Sequence, residues 1–220
     1  MRVDIWVIKM DIKNSLTDNI EDAELILVGI GFEWQCDSSD SEKGFKILEA
    51  YSRLKKLLKG KNYYIMTLCY DDLIFEIFDE ADHIVAPCGS TKRLQCYEHI
   101  VLPEDALTKE DGLYCPLCGE KLQPNNIENE AYIEEAYLAK FAEYKMWLQG
   151  TVNRKLLILE LGADLKFPTI IRFPFDKLCM YNQKSLFYRV HESLCQHTAE
   201  NSERAISIKK NSVDYIYFSS

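Results

Sequence analysis

Four residues near the middle of the chain have the types and spacing of a metal site: Cys96 and His99, then Cys115 and Cys118. A Cys-x-x-His pair and a Cys-x-x-Cys pair each turn tightly enough to aim two ligand atoms at one point. The fifteen residues 100–114 are enough for a ribbon that returns the second pair to the first. Within Tyr114-Cys115-Pro116-Leu117-Cys118-Gly119, Pro116 stiffens the turn and Gly119 lets backbone amides approach a thiolate. Three thiolates and one imidazole are zinc ligands, and four protein ligands leave no coordination place for water or substrate. The zinc this pattern predicts is therefore structural, its binding linked to folding by on the order of 10 kcal/mol.

A second group of chemically interesting residues sits where apolar runs end. Residues 24–31 form a continuous apolar run closing on Gly29-Ile30-Gly31, the pattern of a buried parallel strand entering a tight turn. Further strands are predicted at 63–68, 83–86, 155–162 and 185–190, with terminal strand segments at 206–208 and 215–218, and residues 3–10 are β-rich. Residues 16–23 suit a short helix or lead-in, and 73–78 a short helix. Apolar residues recur at helical spacing over 45–58, stopped by Gly60, and over 127–149, stopped by Gly150. This alternation predicts an α/β fold: a Rossmann-like parallel sheet from residues 1–87 and 150–220, with an inserted zinc-binding ribbon and helical segment at 88–149. Ligands in such a sheet bind at the carboxyl ends of its strands. The loops to watch are then 29–34, 67–72, 87–90 and 162–168.

With 220 residues, 47% of them hydrophobic, the chain can bury one substantial core plus a small module. Its net charge of −9 argues against a zinc module that grips nucleic acid, since Glu104, Asp105, Glu110 and Asp111 outweigh Lys92-Arg93 around the ligands. Assigning three of eight cysteines to zinc leaves an odd five, which favours reduced thiols. No signal peptide and no membrane-length apolar run are read, so a cytoplasmic location is the expectation.

Taken in order, these features resemble the sirtuins, and more closely the divergent bacterial sirtuins found beside macrodomain genes. The likeness covers roughly residues 20–210: a strand into Gly-x-Gly, Thr67-x-x-x-Asp71, Gly89-Ser90, the paired ligands, then Leu159-Glu160-Leu161-Gly162 and Pro168-Thr-Ile-Ile-Arg-Phe-Pro-Phe175. The stretch 159–175 is its most specific part, whereas a lone Gly-x-Gly is weak. The resemblance implies binding of NAD or a related nucleotide and transfer of its ADP-ribosyl unit, with a protein acceptor as the other partner. It places Gly29, Gly31, Thr67, Asp71, Gly89, Ser90 and Gly162 nearest the dinucleotide, with Glu33 bringing a negative charge to the diphosphate unless it turns away.

The chain departs from the family where chemistry is done. Leu68 and Cys69 stand where sirtuins carry a glutamine–asparagine pair, and neither supplies both a carbonyl acceptor and an NH₂ donor. Cys88 stands where the catalytic histidine precedes Gly-Ser. It is open to two readings, a nucleophile of depressed pKa or a small buried hydrophobe at a strand end. Asp71 is likewise a nicotinamide contact or a helix cap ahead of Leu73. Loss of a general base costs about 10²- to 10⁴-fold in rate, so ordinary deacylation is not expected. ADP-ribosyl transfer to protein is the leading reaction, and a catalytically inactive sirtuin-fold binding module that recognises a protein or a nucleotide-like ligand is the alternative. His191 occupies roughly the position of an asparagine that sirtuins set against the adenosine ribose, but surface placement is expected for it and for His83 and His197.

Overall fold

The computed structural model describes residues 15–36, 41–79 and 81–219. The β-rich stretch 3–10 lies outside them. Among the described residues the elements run α1 (Leu16–Asp22), β1 (Leu25–Ile30), α2 (Ser41–Leu58), β2 (Asn62–Thr67), α3 (Ile74–Ile77), β3 (Ile84–Val85), β4 (Gly89–Gln95), β5 (Ile100–Val101), β6 (Leu107–Lys109), β7 (Gly112–Tyr114), β8 (Gln123–Asn126), α4 (Glu135–Gln149), β9 (Leu156–Leu161), α5 (Arg172–Tyr181), β10 (Leu186–Val190), β11 (Ala205–Ile208) and α6 (Ser212–Tyr217). Three short 3-10 turns join them, the first at Phe32–Trp34.

The main sheet has the order β11-β10-β9-β1-β2-β3, and every neighbouring pair is parallel. The chain winds one way from β1 to β3 and the other way from β9 to β11. The order therefore reverses between β1 and β9, where a doubly wound sheet opens a crevice. All residues of β1, β9 and β10 are buried, which explains their near-continuous apolar sequences: strands covered on both faces have no solvent side to keep polar. The two-residue alternation sorts side chains between the layers. Ile26, Val28, Ile30, Leu157, Leu159 and Leu161 pack with residues of α1, α2 and α6. Leu25, Leu27, Leu156 and Ile158 pack on the other face with Tyr144 of α4 and with Ile171, Phe175 and Cys179.

The inserted segment carries two small antiparallel sheets, β5-β4-β8 and β6-β7. Its α4 packs back onto the main sheet: the Tyr144 ring lies 5.6 Å from that of Tyr64, and the Trp147 indole donates to Asn62 Oδ1 at 2.7 Å.

Local chemistry accounts for the differences from the sequence reading. The long helix begins at Glu135 rather than 127, because asparagine side chains capture the backbone ahead of it: Asn126 Oδ1 accepts from Glu128 N, Asn129 Oδ1 from Ala131 N and Asn125 Oδ1 from Ile133 N. These side-chain bonds hold turns where the apolar spacing alone suggested helix. Residues 215–218 are not a strand. Asn211 Oδ1 accepts from Val213 N and Asp214 N, an N-cap that starts α6, and Val213 and Ile216 then fall on its buried side. Helix α5 is a further difference, formed where Ile171, Phe175 and Cys179 recur every four residues and are all buried.

Candidate functional site

The metal ligands are brought together by two turns. β4 runs directly into Cys96 and pairs with β5 through Leu94↔Val101 and Gln95↔Ile100, so the connecting turn carries both Cys96 and His99. That turn is closed by Cys96 N–H to His99 O at 3.0 Å and His99 N–H to Cys96 Sγ at 3.2 Å. The β6–β7 hairpin delivers Cys115, whose N–H donates to Glu120 O while Gly119 N–H donates back to Cys115 O. The four ligand atoms lie within 4.8 Å of one another, with His99 Nδ1 3.3 Å from Cys96 Sγ and 4.0 Å from Cys115 Sγ. Three sulfurs and one imidazole nitrogen at that separation fit tetrahedral zinc, and a set complete in protein ligands fits a structural role. The buried core beside them is only Cys96, Val101, Cys115 and Leu122. So small a core needs a further cross-link, which a metal would supply.

The turns after β1, β2 and β9 and the entry to β4 meet where the strand order reverses, the place at which such a sheet opens a crevice. Five of the six amides at 31–36 donate within the protein. Gly31 N–H donates to Leu161 O (2.8 Å), Glu33 N–H to Gly162 O (3.4 Å), Trp34 N–H to Gly31 O (3.1 Å) and Gln35 N–H to Phe32 O (3.1 Å). Cys36 N–H donates to Asp71 Oδ2 (2.7 Å). Gly31 is glycine because the β1 and β9 turns meet backbone to backbone: a Cβ there would lie 2.1 Å from Gly162 O. Gly162 has φ of +68°, and a Cβ on it would strike Glu33 Cβ and Ser212 Oγ, both at 2.6 Å. Gly29 faces α5, where a Cβ would meet Phe175 at 2.6 Å and Ile171 at 2.7 Å. It makes room for a helix, not for a pyrophosphate.

The Glu33 carboxylate is held by backbone amides and a neighbouring imidazole. Its Oε1 accepts Glu192 N–H at 2.9 Å and lies 3.5 Å from His191 Nδ1, while Oε2 accepts Ser212 N–H at 2.7 Å. Its carboxylate thus ties the β1 turn to the loop after β10 and to the start of α6. His191 is buried, against expectation, because its Nδ1 accepts the amides of Ser193 and Leu194, both at 3.0 Å. His197 is partly buried too: its ring packs edge-on to Phe187, and burial pushes its pKa down to about 4. His83 is exposed, as expected.

The other nominated residues hold the loops. Thr67 is fully buried, and its Oγ1 accepts Cys69 N–H at 3.0 Å. Asp71 accepts Cys36 N–H and, at 3.1 Å, Leu73 N–H, so it clamps the β1 turn to the β2 turn; burial raises its carboxyl, against the pull of those amides. Asp72, at φ +66°, carries the linkage into the insert by accepting from Thr91 Oγ1 (3.0 Å) and Lys92 N (2.9 Å). Gly89 and Ser90 pair with Asn126 and Asn125 of β8, and Ser90 Oγ accepts Lys92 N–H and Arg93 N–H.

Cys88 is fully buried among apolar side chains, and burial pushes its thiol up to about 12. Burial among apolar side chains favours the packing reading of Cys88 over the nucleophilic one. The positive charge of Lys166 and the negative charge of Asp164 act on it in opposite directions.

Sequence reasoning flagged the 162–168 loop but missed its side chains. Phe167 packs against Phe32 with centroids 6.1 Å apart, Tyr70 stands edge-on to Phe32 at 6.3 Å, and Lys166 Nζ lies 5.0 Å from the Phe32 centroid and 5.6 Å from that of Phe167. Aromatic residues in turns, rather than at helical spacing, were the available signal. Beneath this loop runs a buried charge cluster. Arg189 grips Glu160 through Nε to Oε1 (2.7 Å) and Nη2 to Oε2 (2.9 Å) and reaches Asp176 at 3.1 Å. Arg172 contacts Glu160 at 3.4 Å and donates to the carbonyls of Ala163 (3.1 Å) and Leu194 (2.8 Å). The arginines thereby tie the loop after β9 to the loop after β10.

No protein-family model matches the chain. A curated protein ADP-ribosyltransferase of Staphylococcus aureus (strain Mu50 / ATCC 700699) is 23% identical over 180 residues, covering 70% of this chain. The chain spans 57% of that relative's length. A Sir2 homologue in complex with NAD superposes with a TM-score of 0.58 at 13% identity, over 92% of this chain and 90% of the other. Sir2 bound to acetylated peptide gives 0.58 at 15% identity, over 90% and 93%. The six-stranded parallel sheet with its segment inserted between β3 and β9 thus follows the architecture of these structures, and the chain has the Sir2 fold.

Proposed function

We propose that the chain takes NAD or a related nucleotide in the crevice between β1 and β9, and that its reaction is transfer of ADP-ribose to a protein acceptor. The observation that carries this reading is the convergence of four turns on the point where strand order reverses. Leu68 N–H bonds to Ile30 O, Gly31 N–H to Leu161 O, and Thr91 N–H to Tyr70 O, so the turns after β1, β2 and β9 and the start of β4 form one connected wall. The relative named as a protein ADP-ribosyltransferase and the Sir2–NAD complex support the substrate class. In such a transfer an acceptor side chain attacks the ribose C1′, the bond to nicotinamide breaks with its electron pair going to the leaving ring, and the acceptor gives up a proton. Lysine deacylation is disfavoured because buried Leu68, Cys69 and Cys88 occupy the polar positions that chemistry uses. Zinc at Cys96, His99, Cys115 and Cys118 serves structure.

A second reading, a silent binding module, is favoured by one observation: among the nominated residues, Cys88 is neutral and Asp71 is engaged by two amides. Calorimetry with NAD and ADP-ribose, run beside an assay of nicotinamide release, separates the two. Binding with release supports transfer, binding alone supports a module that recognises a nucleotide-like ligand, and no binding contradicts the nucleotide reading and leaves a module that recognises a protein. Among the described residues no helix is long and apolar enough to cross a membrane. A cytoplasmic location is part of this proposal, supported by eight cysteines that form no disulfide.

A further inference from the structure

The Gly-x-Gly turn of a nucleotide-binding sheet ordinarily meets phosphate with unbonded backbone amides. Here the amides of Gly31, Glu33, Trp34, Gln35 and Cys36 all donate within the protein. On the opposite lip the amides of Glu192 and Ser212 are taken by the Glu33 carboxylate. The crevice therefore offers an anion few of its expected donors, and this chain of net charge −9 has little diffuse positive field to substitute for them.

A cation stands at the same place. Lys166 is exposed, forms no ion pair among the described residues, and lies against the rings of Phe32 and Phe167, which come from the two turns that flank the strand-order reversal. Cation–π contact holds an otherwise mobile ammonium over the crevice mouth while leaving its hydrogen-bond donors to solvent. Asp164 shares the turn, but its Oδ1 accepts the Lys166 backbone N–H at 2.9 Å, so it shapes the loop that presents the lysine. The rings of Phe32, Tyr70 and Phe167 supply an apolar wall beside the charge.

Building on the nucleotide reading above, we propose that Lys166, seated on Phe32 and Phe167, is the diphosphate-recognising residue of this crevice, in place of the amides of the Gly31 turn. Because the side chain is exposed, Lys166→Met leaves the fold and its melting temperature unchanged. A charge-assisted contact of this kind corresponds to about 10- to 100-fold in affinity. The experiment is calorimetric titration of ADP-ribose into wild type, Lys166→Met and Lys166→Arg at low and high salt. The proposal expects wild-type binding that weakens with salt, a loss of that size and of the salt dependence in Lys166→Met, and largely retained binding in Lys166→Arg. Lys166→Met binding ADP-ribose like wild type overturns the assignment and leaves the nucleotide reading standing. Failure of wild type to bind either ADP-ribose or NAD overturns the nucleotide reading and the assignment together.

Discussion

Replacing Glu160 with glutamine keeps the volume of the side chain and removes one charge from the buried cluster beneath the crevice. In the native protein two carboxylates, Glu160 and Asp176, balance two guanidiniums, Arg172 and Arg189. The Glu160 and Arg189 side chains are 1% and 2% exposed. Glu160→Gln leaves a net positive charge there with only Asp176, 16% exposed, to offset it. Removing one partner of a buried pair costs about 3–5 kcal/mol, mostly through the charge left uncompensated. For a chain of this length each kcal/mol shifts the melting temperature by about 2–4 °C, which places the drop at roughly 6–20 °C. Thermal melts followed by circular dichroism, with urea unfolding as a check, measure it. The double variant Glu160→Gln/Arg172→Met pairs the remaining Arg189 with Asp176 and recovers part of the loss. A Glu160→Gln protein melting within about 2 °C of wild type would show that the cluster is solvated, and the reasoning would fail.

Three further outcomes follow from the geometry. Cys88, neutral and buried, resists iodoacetamide at pH 8 in the folded protein and reacts after unfolding; mass-spectrometric detection of native alkylation at Cys88 would contradict its packing role. Cys115→Ser lowers bound zinc measured by atomic absorption and lowers the melting temperature, whereas unchanged zinc content and melting would refute the structural-metal assignment. His197 has its folded pKa depressed from 6.5 to about 4 by burial, so the folded state refuses a proton that the unfolded chain accepts. Its contribution is present above the unfolded pKa and is lost as pH falls toward 4. Allowing for partial exposure, urea unfolding should register on the order of 2 kcal/mol less stability across that window, and His197→Phe should flatten the slope. An unflattened slope assigns the acid sensitivity elsewhere.

The parts of this molecule legible in sequence are those fixed by strong local pattern. Strands buried on both faces read as unbroken apolar runs, so β1, β2, β9 and β10 were visible, and the metal pairs declared themselves by spacing. What stayed hidden depends on partners far apart in the chain. Glu33 reads as a charge facing a diphosphate until Glu192 and Ser212, some 160 to 180 residues away, are seen to hold it. Gly29 reads as one half of a phosphate turn until Phe175 occupies the space beside it. The ambiguity at Cys88 was one of burial, which only packing resolves. Asn211 and the asparagines at 125, 126 and 129 carried a local capping signal that aromatic and apolar spacing overrode in the reading.

Where a nucleotide sits is read by amide hydrogen exchange with and without ADP-ribose. A nucleotide bound between β1 and β9 slows exchange only in the turns at 31–36, 67–72 and 163–168 and leaves the insert beyond residue 96 unaffected. Protection that is absent at saturating ADP-ribose, or that falls on the insert or on the opposite edge of the sheet, would contradict this site.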